Sequence, residues 1–462
     1  MFENVIGQDV TAQLITDIET GILPQALLFS GPKASGKGTA ALELARVISC
    51  EAEAQSSQGQ TPARKYKALW TCQCPACPRH RLLIHQDLLC IGPRAFSAEI
   101  AASSGAFLRE INSTQNVVKS ASRMLFIRSI RKLLLRFNPV LFEDEPKKGK
   151  TAVAPLVNTL EEDLAEFDAL TQVPAESTGE RIKEDALAKL IEAIQKNAFK
   201  LEAEGLSDNI PIDRIRRAAW WGRLAPSGKG KLLVIENTDR MQEEARNSLL
   251  KLLEEPPPRL TIVLTTARPS SLLPTILSRV RPYRFNARDA SVEKDIIKKV
   301  FRDDKDTKLT SYLDSFLPVS EDELNSLVAF FAASVAYKAA LLSKKQGNNI
   351  AQEVIVLGKY TAPKAEAAGL GRPKGEVSAV TALVLEKTNK FEVRSLFLSF
   401  LSGLLEIAVQ SQREAALPSV SYNEVWRKHS SWGESAVGTY RLTPALVLEK
   451  LFTSLSRDLA AL

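Results

Sequence analysis

The sequence predicts an α/β domain built on a parallel sheet, followed by helices to the end of the chain. Three observations lead there. Short apolar runs at 26–30, 88–91, 231–235 and 260–264 alternate with stretches of helical periodicity, as in strands buried on both faces and joined by helices. The first run passes through a glycine-bearing loop, GPKASGK at 31–37, into a helix. Strand, glycine loop and helix form a unit suited to holding phosphate. After Phe285 the apolar residues recur at helical spacing only.

Taken in order, residues 11–23 are amphipathic, with Leu14, Ile15, Ile18 and Ile22 on one face. ALLFS at 26–30 is the first strand, and 39–49 is a helix carrying Ala40, Leu42, Leu44 and Ala45. The second strand is LLCI at 88–91. The third, KLLVI at 231–235, leads into Glu236, then a helix over 243–254 and a fourth strand at 260–264.

Between the second and third strands, residues 93–209 are too many for a loop and predict a helical insertion. Within it, 119–136 carries Lys119, Arg123, Arg128, Arg131, Lys132 and Arg136 without an acid, and 161–168 is acidic. Residues 180–204 are charged and helical, while 145–157 and 172–179 read as flexible joints. The basic run is expected to be a solvated helix face, the alternative being a surface for DNA or an acidic partner. Arg216, Arg217, Trp220, Trp221 and Arg223 could stack on single-stranded bases. A helix packed by its tryptophans is the favoured reading. Beyond 286, residues 287–345 suggest a small bundle, 361–375 a loop, and 377–416 and 443–462 helices with stripes such as Leu396, Phe397, Phe400, Leu401 and Leu404. The expected division is 1–286, 287–345 and 346–462.

Composition narrows the function. A 462-residue chain is long enough for several real cores. Its formal charge of +7 suits an anionic partner but is modest for this length. No apolar run approaches the roughly 20 residues that cross a bilayer, and the start, MFENVIGQDVTAQL, lacks the build of a signal peptide. Cysteines stand at 50, 72, 74, 77 and 90. An odd, clustered set without a secretion signal argues for a reducing compartment and metal rather than disulfides.

The loop 31–37 fits GxxxxGK, so Gly31, Gly36 and Lys37 are candidate phosphate ligands. The next position ordinarily supplies a hydroxyl to magnesium. Here it is Gly38, with Thr39 one residue late. The third strand should end in a metal-binding acid followed by a glutamate that polarises water. Glu236 can replace the acid, but Asn237 stands where the base belongs, and an amide cannot take a proton from water. Two such defects argue for a nucleotide binder, or a bare scaffold, that hydrolyses ATP poorly if at all.

The stretch 247–279, NSLLKLLEEPPPRLTIVLTTARPSSLLPTILSR, is more specific. It resembles the bacterial DNA polymerase III clamp-loader family, in which similar helices end in LEEPP and a following Ser-Arg-Cys carries an arginine. The resemblance implies an AAA+ P-loop domain, a small helical lid and a helical collar. It implies that Arg279 reaches a neighbouring subunit's ATP; Val280 replaces the family's cysteine. It places Thr265 or Thr266 at the phosphate-sensing position, and likens His85-Gln86-Asp87-Leu88 to a structural motif leading into the second strand. The broken hydrolytic positions beside a retained Ser-Arg resemble the delta-prime type. Such a subunit is a non-hydrolysing member of a hetero-pentameric ring with gamma/tau and delta subunits. The ring places a sliding clamp on primed DNA in the cytoplasm. Alternatives are the ATP-hydrolysing gamma/tau subunit, a P-loop nucleotide kinase, suggested by SGKGTA at 35–40, and a plain zinc-and-DNA-binding module.

Cys50, Cys72, Cys74 and Cys77 are candidate ligands for a structural zinc ion, because thiolates suit a closed tetrahedral site. The resemblance supports a four-cysteine zinc module here. Cys72 and Cys74 are one residue apart where the family has two, and the gap from Cys50 is long. His80 is a substitute candidate. Cys90, within the second strand, is expected to be a small core residue.

Overall fold

The computed structural model describes the chain except residues 53–67, 112–115, 143–146, 173–183, 208, 317–318, 320, 389–393, 418 and 439–441. Contacts divide it into two compact units, Met1–Leu313 and Asp314–Leu462.

In chain order the first unit contains α1 (Val10–Glu19), β1 (Ala26–Ser30), α2 (Lys37–Ile48), α3 (Ala76–Arg81) and β2 (Leu88–Ile91). Then come α4 (Ser97–Glu110), α5 (Asn116–Leu134), α6 (Lys147–Gln172), α7 (Glu184–Gly205) and α8 (Ile212–Arg223). It continues with β3 (Lys231–Ile235), α9 (Glu243–Glu254), β4 (Leu260–Thr266), α10 (Pro274–Leu277), β5 (Arg281–Arg284) and α11 (Ala290–Val300). α12 (Leu309–Asp314) lies at the boundary.

The five strands are parallel, in the order β2-β3-β4-β1-β5. Alternation sends Ala26, Leu28, Leu89, Ile91, Leu233, Ile235, Ile262 and Leu264 into one core. It sends Leu27, Phe29, Leu88, Cys90, Leu232, Val234 and Val263 into the other. The second core is closed by α1 and α2, through Leu14, Ile18, Leu44 and Val47. With both faces covered, every residue of β1, β2 and β3 is buried. This is the AAA+ arrangement expected from the sequence. The fifth strand was not foreseen. RPYR buries only Tyr283, and an edge strand tolerates charge and a proline that cannot donate to the ladder.

The insertion packs on the first face. Phe167 of α6 meets Phe107 of α4 and Phe126 of α5 edge to face, each at 5.1 Å, and all three share a core with the sheet. Two expectations fail here. Residues 147–157 are not a joint but the start of α6, despite Pro155. Apolar positions continue past them at Leu160, Leu164 and Phe167, all buried at helical spacing, so packing outweighs the bond that proline removes. The rest of the two expected joints, apart from Gln172 in α6, lies outside the described residues. Nor is the basic run a solvated face, since none of residues 122–136 is exposed. Arg123 pairs with Asp168 and Lys132 with Glu99. Arg128 donates to the Arg81 carbonyl, and Arg131 to that of Leu82 at 3.0 Å. α8 divides its tryptophans: Trp221 is buried beneath Lys231, whereas Trp220 is exposed.

The second unit is helical: α13 (Glu321–Lys345), α14 (Gln352–Ala367), α15 (Val377–Lys387), α16 (Arg394–Glu414), α17 (Val420–Gly438) and α18 (Pro444–Ala460). α13 packs against α14, α15, α16 and α18, with Phe331 edge-on to Phe400 and Phe452. By length and hydropathy α13 could cross a membrane, contrary to the expectation that no segment could. Two thirds of its apolar window is buried in the unit's own core, which accounts for its composition. The loop expected at 361–375 is helical to Ala367, because Leu357, Thr361 and Ala365 bury one face of α14. The segment 287–345 is divided: α11 groups with the first unit, and α13 forms the centre of the second.

Candidate nucleotide site and cysteine cluster

The loop after β1 begins α2, and its geometry depends on glycine at Gly36, where φ is 94°. Lys37 turns back into its own loop, donating to the carbonyls of Gly31 at 2.8 Å and Pro32 at 2.5 Å and to Ser35 Oγ at 3.3 Å. Burial pushes its ammonium down to about 8, against the opposing pull of Asp239 and Glu236. Arg288, beyond β5, donates to the carbonyls of Ile6 and Ala34 and so fastens the loop from outside. A side chain at Gly31 would collide with the Phe285 carbonyl, so the loop is pressed against the chain leaving β5.

Glu236, at the end of β3, faces the start of α2. Its Oε1 lies 3.0 Å from where a Cβ at Gly38 would stand, and its Oε2 accepts a bond of 2.7 Å from Arg136 Nη2. Thr39 follows, half-buried in the first turn of α2. Asn237 takes a left-handed conformation at φ 51°, and its N–H donates to Thr265 Oγ1 at 3.2 Å. Thr266 donates to Asp239 at 2.8 Å. Gly31, Gly36, Lys37, Gly38 and Glu236 are therefore brought together, with Thr266 beside them through Asp239. The sequence reading missed Arg136, Arg288 and Asp239. Only Arg136 had a signal, as the last cation of an acid-free run.

Arg279 stands apart from this loop, just past α10. It donates to the Thr275 carbonyl and to Glu254 Oε1, both at 2.8 Å, and its side chain is about a third exposed. Glu254 belongs to the LEEPP run, so the two most distinctive motifs of the chain touch.

The four candidate cysteines converge. Their sulfurs all lie within 4.8 Å of one another, Cys50 being 3.8 Å from Cys72 and 3.9 Å from Cys74. A tetrahedral ion with bonds of about 2.3 Å to sulfur separates its ligands by about 3.8 Å, so the cluster suits a metal such as zinc. The one-residue spacing of Cys72 and Cys74 does not prevent it. The Glu51 N–H donates to Cys74 at 3.4 Å, and buried Arg46 donates to Cys77 at 3.4 Å. Arg46 is held by Glu43 and by the carbonyls of Ala68 and Leu69. Burial opposes ionisation of Cys74, but the N–H groups of Glu51 and Cys77 bring it down to about 6; burial pushes Cys50 and Cys77 up. His80 is outside the cluster. It is buried, stacked on His85 at 4.1 Å, and held neutral by burial, which pushes it down to about 3. Cys90 is a buried residue of β2. Asp87 stitches the start of β2 to the turn before β3 by accepting from Ser227 and Gly228.

A family model described as DNA polymerase III, delta subunit, matches residues 6–289. The chain belongs to that family. Among relatives of this family member, the DNA polymerase III subunit delta-prime of Pseudomonas aeruginosa is 38% identical over 82 residues, 18% of this chain and 25% of that one. The subunit delta-prime of Bacillus subtilis is 40% identical over 72 residues, 14% of this chain and 22% of that one. The matched segments thus span about a quarter of these relatives. A gamma subunit-related protein from Thermotoga maritima is 20% identical over 55% of this chain and 80% of its own, with a TM-score of 0.27. That likeness is too slight to carry an argument.

Proposed function

We propose that this chain is a delta-prime-type clamp-loader subunit that hydrolyses no ATP of its own and supplies Arg279 to the site of a neighbour. It would work in the cytoplasm within a hetero-pentameric ring of gamma/tau and delta subunits that sets a sliding clamp on primed DNA. The observation that carries this is the pair Gly38 and Asn237. One position offers no hydroxyl to a metal, and the other offers an amide, tied through its backbone to Thr265, where a base is needed. Family membership supplies the context. The cysteine cluster would hold one structural zinc, with all four positions filled by protein. Arg279 fits its role because its hold on Glu254 is half-exposed, and such a pair is readily exchanged for a better partner.

The test is steady-state phosphate release by the purified chain and by a ring reconstituted with it. The chain alone should show no turnover distinguishable from its Lys37→Ala variant, and the ring should hydrolyse ATP. Turnover near 1 per second by the isolated chain, lost in Lys37→Ala, would make it a motor subunit instead.

A further inference from the structure

A P-loop fold implies a magnesium ion beside the nucleotide, gripped by the acid that ends the third strand. The residues present do not fit that ion. The acid, Glu236, already holds a cation: Arg136, reaching in from the insertion, donates to it at 2.7 Å. The Arg136 side chain is only 3% exposed, and it lies against the Phe96 ring at 5.1 Å. The other oxygen of Glu236 points at Gly38, so close that a Cβ there would sit 3.0 Å away, tighter than ordinary van der Waals contact. The place of the missing hydroxyl is thus approached by the carboxylate.

We propose that Arg136 is a built-in replacement for the metal, and that the helical insertion holds the P-loop domain in a form that binds no divalent cation at Glu236. A guanidinium this buried is tolerable only while its carboxylate is present, since removing one partner of a buried pair strands the other charge. Lending Glu236 to magnesium would either strand Arg136 or bring three positive charges onto one carboxylate. Gly38 completes the set by leaving room for Glu236 to face α2. The insertion therefore carries the cation that the P-loop domain would otherwise recruit with nucleotide. This rests on the non-hydrolysing reading given above.

The test uses the full chain with its cysteine cluster loaded with zinc, and manganese followed by electron paramagnetic resonance, with and without ATP. Wild type and Arg136→Lys should bind no manganese at Glu236 below millimolar concentration. Arg136→Met should gain a manganese site at least tenfold tighter than anything in wild type, and the added Glu236→Gln change should abolish it. If Arg136→Met alone does not fold, the Arg136→Met/Glu236→Gln double variant should, because it removes both charges together. Three results overturn the assignment: submillimolar manganese in wild type that Glu236→Gln removes, a folded Arg136→Met as blind to manganese as wild type, or, where Arg136→Met does not fold, a double variant that does not fold either. Manganese at Glu236 without ATP turnover would overturn the arginine's role alone, whereas turnover by wild type would overturn the non-hydrolysing reading.

Discussion

Lys37 shows how burial can oppose a motif's chemistry. Its ammonium is enclosed by the loop it should help to charge, and its proton is lost near pH 8 rather than at the ordinary 10.5. Between those values the unfolded chain binds a proton there and the folded chain does not, so this group makes folding more favourable as pH rises from about 8 to about 10.5. Denaturant melts of wild type and Lys37→Met should therefore diverge in that window, with wild type gaining stability relative to the variant. Parallel curves would show that the lysine is solvated. At Arg279 the bond to Glu254 is half-exposed and contributes at most about 1 kcal/mol. Arg279→Ala should leave the melting temperature nearly unchanged.

At the scale of elements, the insertion and the cysteine knuckle were legible to different degrees. The length of 93–209 predicted a helical insertion, but not which face its helices buried. The basic residues of 119–136 were read as solvated because cations usually are, yet each of the five from Arg123 to Arg136 meets a carboxylate or carbonyl on another segment. The pivot of that packing is Phe167, fully buried between Phe107 and Phe126. Phe167→Ala should destabilise the first unit by about 3–5 kcal/mol, read as a shifted denaturant midpoint; a loss under about 1 kcal/mol would mean that the insertion does not share the sheet's core. The knuckle makes a compositional prediction. Elemental analysis should find about one equivalent of zinc in wild type and essentially none in Cys74→Ser/Cys77→Ser, with a lowered melting temperature in the variant. Equal metal in both proteins would remove the assignment.

For the whole molecule, the proposed function depends on assembly. Arginines that complete a neighbour's phosphate site are worth powers of ten in rate, so Arg279→Ala should slow the ATPase of a reconstituted ring and its clamp loading while leaving the ring assembled. The loss should be tenfold or more at the one site it serves. Arg279→Lys should restore only part, because an ammonium cannot span two phosphate oxygens as a guanidinium does. Unchanged phosphate release and loading would reduce Arg279 to a surface residue.

Residue order alone carried the features that repeat over a few positions. Apolar runs placed β1, β2 and β3 to the residue, the GxxxxGK loop placed the helix after it to within two residues of its start at Lys37, and the clustering of cysteines pointed to metal. It also carried the family, through the LEEPP-to-Ser-Arg stretch, whose parts lie close along the chain. What meets across long separations came only with the folded chain. Glu236 finds Arg136 from 100 residues away, and Arg288 reaches Ala34 across 254. β5 exists because β1 offers it an edge, not because RPYR favours a strand. The extent of α14 past Pro363 depended on the α13 surface beneath it. Local periodicity records which face of an element is apolar. It does not record which distant charge, edge or carbonyl will be waiting there, because that is settled when the layers close and each buried polar group must find its partner.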